Sequence, residues 1–227
     1  MDRLPRFLKP NRDDLMEDYS EELACVPAPV DQARFNPYCE LPYGLITEHI
    51  HNSMTAFVEF LGFVNQQLHT KSIQRLESFL MPANFSSIVG EFMSMTIPRY
   101  CDSLVKNRYH NGHPDLIPSN AFPEDAVQHS TEGIEIKGSR HASGWQGHNA
   151  EAVWLMVFHF DSNTANDVRR DIGPKPFRFL GVYAAQLDLA DWNFSGRSAT
   201  SRRTITASVN QNGVAKMRSN WVYRASR

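Results

Sequence analysis

The chain has 227 residues, of which 41% are hydrophobic, and its 23 lysines and arginines nearly balance 25 aspartates and glutamates, for a formal net charge of -2. This length and composition predict a soluble globular protein with one good core and at most a modest appendage. No apolar run is long enough to span a bilayer, and residues 1–6 lack the apolar segment of a signal peptide, so we expect a cytoplasmic protein without a membrane partner.

The first 45 residues form a proline-rich and acidic segment. Prolines interrupt regular structure, so residues 1–45 are predicted to be an arm with one short helix. We expect residues 46–227 to form one domain, made of a helical layer at 46–110, a sheet core at 111–190 and a basic hairpin segment at 191–227.

Helices are predicted first along this domain. Apolar residues recur at helical spacing from about Thr47 to Leu68, with Thr47 as a plausible cap. A second helix is expected at 73–80. A third should begin with Asn84 as its N-cap and run toward Cys101.

The segment after these helices gathers acids and an amine. His113-Pro114-Asp115 is followed by the apolar strand Ile134-Glu135-Ile136-Lys137. Side chains alternate along a strand, so Glu135 and Lys137 should project to one side while the isoleucines enter the core. If Asp115 comes from a neighbouring strand, two carboxylates converge beside the lysine and suit a hard cation such as Mg²⁺.

This pattern resembles the PD-(D/E)xK nucleases, whose best-known members are type II restriction endonucleases. The resemblance covers roughly the middle third of the chain. It implies metal-assisted hydrolysis of DNA in which Asp115 and Glu135 bind Mg²⁺, the Ile136 carbonyl is a further ligand, and Lys137 orients or deprotonates the attacking water. In many members a glutamate on the preceding helix helps to hold the metal, and Glu91 is its counterpart here.

The loop after Lys137 is polar and rich in glycine, a composition often found at active sites. Trp145 should anchor this loop by burial. Its candidate contacts to the scissile phosphate or to a base edge are Arg140, Gln146, His148 and Asn149.

Strands dominate the rest of the chain. The short apolar runs at 152–160 and 177–184 are typical of the buried centre of a sheet. Segments 204–209 and 214–218 flank Asn212-Gly213, which predicts a hairpin. The fold class is therefore α/β (α+β), and the resemblance implies a restriction-endonuclease-like mixed central sheet flanked by helices.

The C-terminal region is basic. Residues 192–227 contain seven lysines and arginines and no acid, and such a segment attracts phosphates. The predicted DNA contacts in it are Arg202, Arg203, Lys216 and Arg218. Double-strand cleavage at a defined sequence usually needs two active sites, which implies a homodimer on a palindromic site of double-stranded DNA.

Several alternatives remain. One alternative is that Asp115 only starts a turn and that Glu135, Lys137 and Glu91 are solvated surface groups. A repair nuclease that recognises DNA structure, or a non-catalytic DNA-binding module, would share the same fold. A zinc hydrolase has little support, because Pro114 follows His110-x-x-His113 and the three cysteines lack metal-ligand spacing. No glycine-rich phosphate loop is present, so no nucleotide cofactor is expected.

Overall fold

The computed structural model describes residues 20–147, 149–167, 170–195 and 206–226. After a short helical stretch at 20–24, the helices are α1 (Thr47–His69), α2 (Leu76–Phe79), α3 (Pro82–Thr96) and α4 (Gln211–Ser219). The strands are β1 (Leu104–Lys106), β2 (Leu116–Pro118), β3 (Ile134–Ser139), β4 (Gln146–Gly147), β5 (Trp154–Asp161), β6 (Arg178–Gln186), β7 (Trp192–Ser195), β8 (Thr206–Val209) and β9 (Trp221–Arg224).

The main sheet has six strands in the order β1-β2-β3-β5-β6-β9. Strands β3 and β5 run parallel, whereas the other neighbouring pairs are antiparallel. A second, three-stranded sheet has the order β4-β8-β7. The predicted mixed α/β class is confirmed, and so are the strands expected near 152–160 and 177–184.

The main sheet is buried on both faces, which explains why its central strands are almost continuously apolar. Ile134 and Ile136 of β3 belong to a core cluster that includes residues of α1 and α3. On the opposite face, Leu155 and Val157 of β5 pack with the smaller sheet and α4. The predicted alternation along β3 is therefore confirmed, and Glu135 and Lys137 occupy the face opposite to the isoleucines.

Helix α3 lies very close to β3, and this contact positions one wall of the candidate site. A Cβ atom added to Gly138 would lie 2.4 Å from the Ser86 carbonyl oxygen and 2.8 Å from Val89 Cβ. The same helix buries Phe85 and Met93 in the core. Only a glycine at 138 allows the backbones of helix and strand to approach so closely.

The helix α1 was predicted nearly to its last residue, although Thr47 is its first residue and the N-cap is Ile46. Two details of the neighbouring helices were also wrong. Asn84 is not an N-cap, because α3 begins at Pro82, whose fixed φ suits the first helical turn. The helix expected at 73–80 is confined to α2, and Ile73 and Phe79 are exposed. Helix α3 ends at Thr96, where a 3₁₀ turn takes the chain toward Cys101.

The predicted C-terminal hairpin is also wrong, because residues 211–219 form helix α4. The Asn210 side chain accepts hydrogen bonds from the amides of Asn212 and Gly213 at 2.9 and 3.1 Å, which makes it the N-cap. Gly213 lies against β8, where an added Cβ would approach Val209 within 2.6 Å. The chain then returns as β9, antiparallel to β6 at the edge of the main sheet.

Among the described residues, every helix is too short or too polar to cross a membrane. The three cysteines are free thiols, and Cys25 and Cys101 are buried.

Candidate active site

A cleft of roughly 1030 Å³ opens where β2 and β3 diverge. Its walls come from α3, β1, β3 and the loops around residues 107–113 and 128–129. The predicted site residues that line this cleft are Glu91, Asp115, Glu135, Ile136, Lys137 and Asn149. The catalytic set predicted from sequence therefore meets in one place.

Glu135 and Lys137 form the centre of the cleft. The Lys137 Nζ atom lies 2.8 Å from Glu135 Oε1, and the two side chains are only 15% and 22% exposed. They share a face because they stand two residues apart on β3. The reading of these residues as an ordinary solvated strand surface is wrong, because both are largely buried.

Asp115 directly precedes β2, and its side chain reaches across to β3. Strand β2 pairs with β3 only at Leu116 and Ile134, so the Ile136 amide lies beyond the ladder. The Asp115 Oδ2 atom accepts a hydrogen bond from that amide at 2.8 Å. Since the N–H and C=O groups of a residue in a strand point to the same edge, the Ile136 carbonyl is also directed toward this side of β3.

Asn107, which the sequence did not suggest, holds the segment before Asp115. Its side-chain amide donates to the carbonyls of Pro114 and Val127, at 3.1 and 2.8 Å. Its Oδ1 atom accepts from the amides of Tyr109 and Val127, and its own amide donates to the Asp115 carbonyl at 2.9 Å. A buried asparagine with every hydrogen-bonding group engaged fixes the local backbone.

The electrostatics of the site distinguish the two central carboxylates. Burial and the nearby charge of Glu135 raise the pKa of Asp115 to about 7. Burial also acts to raise the pKa of Glu135, but hydrogen bonds and charges from His113 and Lys137 outweigh it and lower that pKa. The Lys137 pKa is raised, because the attraction of Glu135 exceeds the effect of burial.

His113 and Glu151 complete the cluster, although neither was predicted to belong to it. His113 Nδ1 lies 2.9 Å from Glu135 Oε2, and His113 Nε2 lies 3.2 Å from Glu151 Oε2 without the alignment of a hydrogen bond. The His113 ring also stacks on His129, with centroids 5.4 Å apart. Only tertiary structure brings these residues to Glu135, so no local sequence signal indicated them.

The donor set of the cleft is compatible with Mg²⁺. No group of three or more histidine, cysteine, aspartate or glutamate side chains within the described part of the chain has a metal-binding arrangement. Mg²⁺, however, keeps several waters and needs only one or two protein carboxylates. Asp115, Glu135 and the Ile136 carbonyl offer hard oxygen donors, and the raised pKa of Asp115 reflects a buried carboxylate whose charge lacks full compensation.

Glu91 lies on the cleft wall rather than at its centre. Its side chain is 66% exposed, and its Oε2 atom lies 2.6 Å from Lys106 Nζ. Glu91 lies on α3, the helix that precedes the motif, as predicted, whereas its role as a metal ligand stays a prediction.

Among the described residues that were predicted to contact DNA, Arg140, Gln146, Lys216 and Arg218 do not line the cleft. The Arg140 guanidinium donates to Ser162 and Asn163, and Lys216 pairs with Asp188 and Asp191. Only Lys216 is paired with opposite charge, because the Arg140 partners are neutral, and the contacts of both residues to DNA stay predictions. Gln146 is exposed on β4, and Arg218 donates to the Ala142 carbonyl.

Three of the predicted contacts, His148, Arg202 and Arg203, lie outside the described residues. The anchoring of the loop by Trp145 is confirmed, because its ring is 3% exposed and its Nε1 atom donates to the His141 carbonyl at 2.8 Å.

Neither a protein-family model nor a curated protein nor a solved structure matches this chain.

Proposed function

We propose that this protein is a Mg²⁺-dependent endonuclease of the PD-(D/E)xK type, with a restriction-endonuclease-like fold, that cuts double-stranded DNA. The single observation that supports this most strongly is the convergence of Asp115, Glu135 and Lys137 in one cleft. Asp115 reaches the Ile136 amide at 2.8 Å, and Glu135 reaches Lys137 at the same distance.

The roles of the residues follow from their positions. Asp115, Glu135 and the Ile136 carbonyl would hold the cation. When bound, Mg²⁺ would neutralise charge on the phosphate and make a water molecule more acidic. The raised pKa of Lys137 means that its side chain is protonated near neutral pH, so it would act as a hydrogen-bond donor that orients the attacking water or the phosphate.

The charge around the cleft also favours a cation. Four carboxylates and two lysines line it. A phosphodiester, which is itself an anion, would be repelled by this surplus of negative charge unless a divalent ion were present. Mg²⁺ would thus be needed for productive substrate binding as well as for the chemistry.

We further propose a homodimer that cuts at a defined sequence, because cleavage of both strands of a palindromic site requires two symmetry-related active sites. Arg202, Arg203 and Asn149 are proposed DNA contacts, and Asn149 lines the cleft.

The proposal is tested by incubating the purified protein with mixed plasmid and phage DNA and Mg²⁺. Discrete fragments would support sequence-specific cleavage, whereas cleavage limited to branched or flapped substrates would indicate a repair or recombination nuclease. Binding without cutting would indicate a non-catalytic module.

Single alanine variants of Asp115, Glu135 and Lys137 should each lose cleavage while they still bind DNA. Glu132→Ala is the matched control, because Glu132 is an exposed acid just before β3 and does not line the cleft. Cleavage retained in all three site variants would refute the assignment.

A further inference from the structure

His113 is held rigidly between the two walls of the cleft. Its amide donates to the Gln128 carbonyl at 3.1 Å, and its carbonyl accepts from the Ser130 amide at 2.9 Å. The ring stacks on His129 at an interplanar angle of 22°. Backbone bonds and ring stacking together leave this imidazole little freedom to rotate.

Both nitrogens of this ring face buried carboxylates. Nδ1 is 2.9 Å from Glu135 Oε2, and Nε2 is 3.2 Å from Glu151 Oε2. The Glu135 and Glu151 side chains are 15% and 11% exposed. Lys137 holds the other oxygen of Glu135 at 2.8 Å, so the Glu135 carboxylate is fixed at both oxygens.

A glutamate needs this support more than an aspartate does. Its longer side chain has more rotatable bonds, and ordering them costs entropy when a ligand binds. Asp115 is short and already anchored to the Ile136 amide. The metal-binding orientation of Glu135, by contrast, depends on its side-chain neighbours.

We infer that His113 is a positioning residue that presets the Glu135 carboxylate for a divalent cation, and that the Glu151 carboxylate, 3.2 Å from Nε2 without an aligned hydrogen bond, steadies the ring electrostatically. This inference rests on the proposed function, because it assigns a task to the same cleft. Partners that orient a metal ligand in this way typically contribute about 10- to 100-fold to metal affinity.

Two substitutions at His113 separate the two nitrogens. The amide nitrogen of asparagine can occupy the place of Nδ1, so His113→Asn keeps a donor toward Glu135. The longer side chain of glutamine places its amide near Nε2, so His113→Gln keeps a donor toward Glu151 and loses the one toward Glu135.

The test measures Mg²⁺ binding by calorimetry and the Mg²⁺ concentration that gives half-maximal DNA cleavage. We expect His113→Gln to weaken Mg²⁺ binding about 10-fold or more, with cleavage restored at high Mg²⁺ and an unchanged KM for DNA. His113→Asn should stay within about threefold of the wild type, as expected where the hydrogen bond to the ligand is preserved.

Equal Mg²⁺ affinities for the two variants, or a wild-type affinity in His113→Gln, would overturn the inference while the nuclease proposal stands. If His113→Gln fails to fold, Glu151→Gln replaces it and should weaken Mg²⁺ binding severalfold. An unchanged affinity there would equally overturn the inference. A wild-type protein that neither binds Mg²⁺ nor cuts DNA would instead refute the proposed function, and the inference with it.

Discussion

The Asp115 carboxylate and the Ile136 amide are joined by a 2.8 Å hydrogen bond where the ladder between β2 and β3 ends. This bond takes the place of a backbone contact and sets a carboxylate beside the edge of β3. The same strand presents Glu135 and Lys137 to the cleft. A buried carboxylate at such a position is costly without a cation, and the raised pKa of Asp115 reflects that cost.

Asp115→Asn should therefore stabilise the metal-free protein. The Asp115 pKa rises from 3.8 to about 7 on folding because of burial and the charge of Glu135. The folded state thus holds a proton that the unfolded chain has released between about pH 4 and pH 7, and wild-type stability falls as pH rises through this window.

Relative to wild type, Asp115→Asn should raise the free energy of unfolding by up to about 4 kcal/mol above pH 7, and should change it little near pH 4. Asparagine keeps an oxygen that can accept the Ile136 amide. Urea unfolding of both proteins without metal, across this pH range, measures the difference. A variant less stable than wild type at pH 8 would contradict the account of Asp115.

Gly138→Ala should disrupt the contact between α3 and β3. The new Cβ would lie 2.4 Å from the Ser86 carbonyl oxygen, so helix or strand must shift, at a cost of about 1–3 kcal/mol. Gly90→Ala is the matched control on the facing helix, because its Cβ would meet atoms only at 3.4 Å and beyond. Urea unfolding should show that Gly138→Ala is less stable than Gly90→Ala. Equal stabilities would argue against so close a contact between α3 and β3.

Asn107→Ala should destabilise the fold and displace Asp115. The substitution leaves the amides of Tyr109 and Val127 and the carbonyl of Pro114 without their side-chain partner, and each unsatisfied buried group costs about 1–3 kcal/mol. Mg²⁺-dependent cleavage should fall as well. Asn166→Ala, on an exposed loop, is the control for stability and should change it little. If Asn107→Ala kept wild-type stability and cleavage, the proposal that Asn107 positions Asp115 would be wrong.

Arg140→Ala should affect folding more than DNA affinity. Its guanidinium donates to Ser162 and to the Asn163 carbonyl and lies over the Phe160 ring, 5.5 Å from its centroid. The loss of these bonds should destabilise the protein by more than about 1 kcal/mol. Arg178→Ala is the control, because the Arg178 side chain is half-exposed and its Nη2 atom lies 3.8 Å from Asp161 Oδ2. Its free energy of unfolding should stay within about 0.5 kcal/mol of the wild-type value. A large loss of DNA affinity in folded Arg140→Ala would restore the sequence-based prediction.

Sequence reasoning succeeded where the signal was local. The alternation along β3 and the apolar runs of β5 and β6 indicated strands, and helical spacing indicated α1. The prediction failed at residues 210–219, because this segment contains both Asn212-Gly213, which suits a hairpin turn, and Asn210, which suits a helix N-cap. The helix is stabilised by the N-cap hydrogen bond of Asn210 and by the packing of Gly213 against β8.

The centre of the site was predictable because Glu135 and Lys137 stand two residues apart on a strand. The supporting residues were not. Asn107, His113 and Glu151 meet the motif only through the folding of separate loops, and no spacing between them and Glu135 signals the contact. The contacts that Arg140 and Lys216 make within the protein were not predictable either, because their partners are distant in sequence, and their contacts to DNA stay predictions.

The central claim is that Asp115, Glu135 and the Ile136 carbonyl bind one divalent cation. The direct test is an anomalous difference map from Mn²⁺-soaked crystals, with data collected at a wavelength where manganese scatters anomalously. The account predicts one anomalous peak about 2.1–2.3 Å from both carboxylates and the carbonyl oxygen. No peak in this cleft, at a Mn²⁺ concentration that supports cleavage of DNA by the wild-type protein, would contradict it.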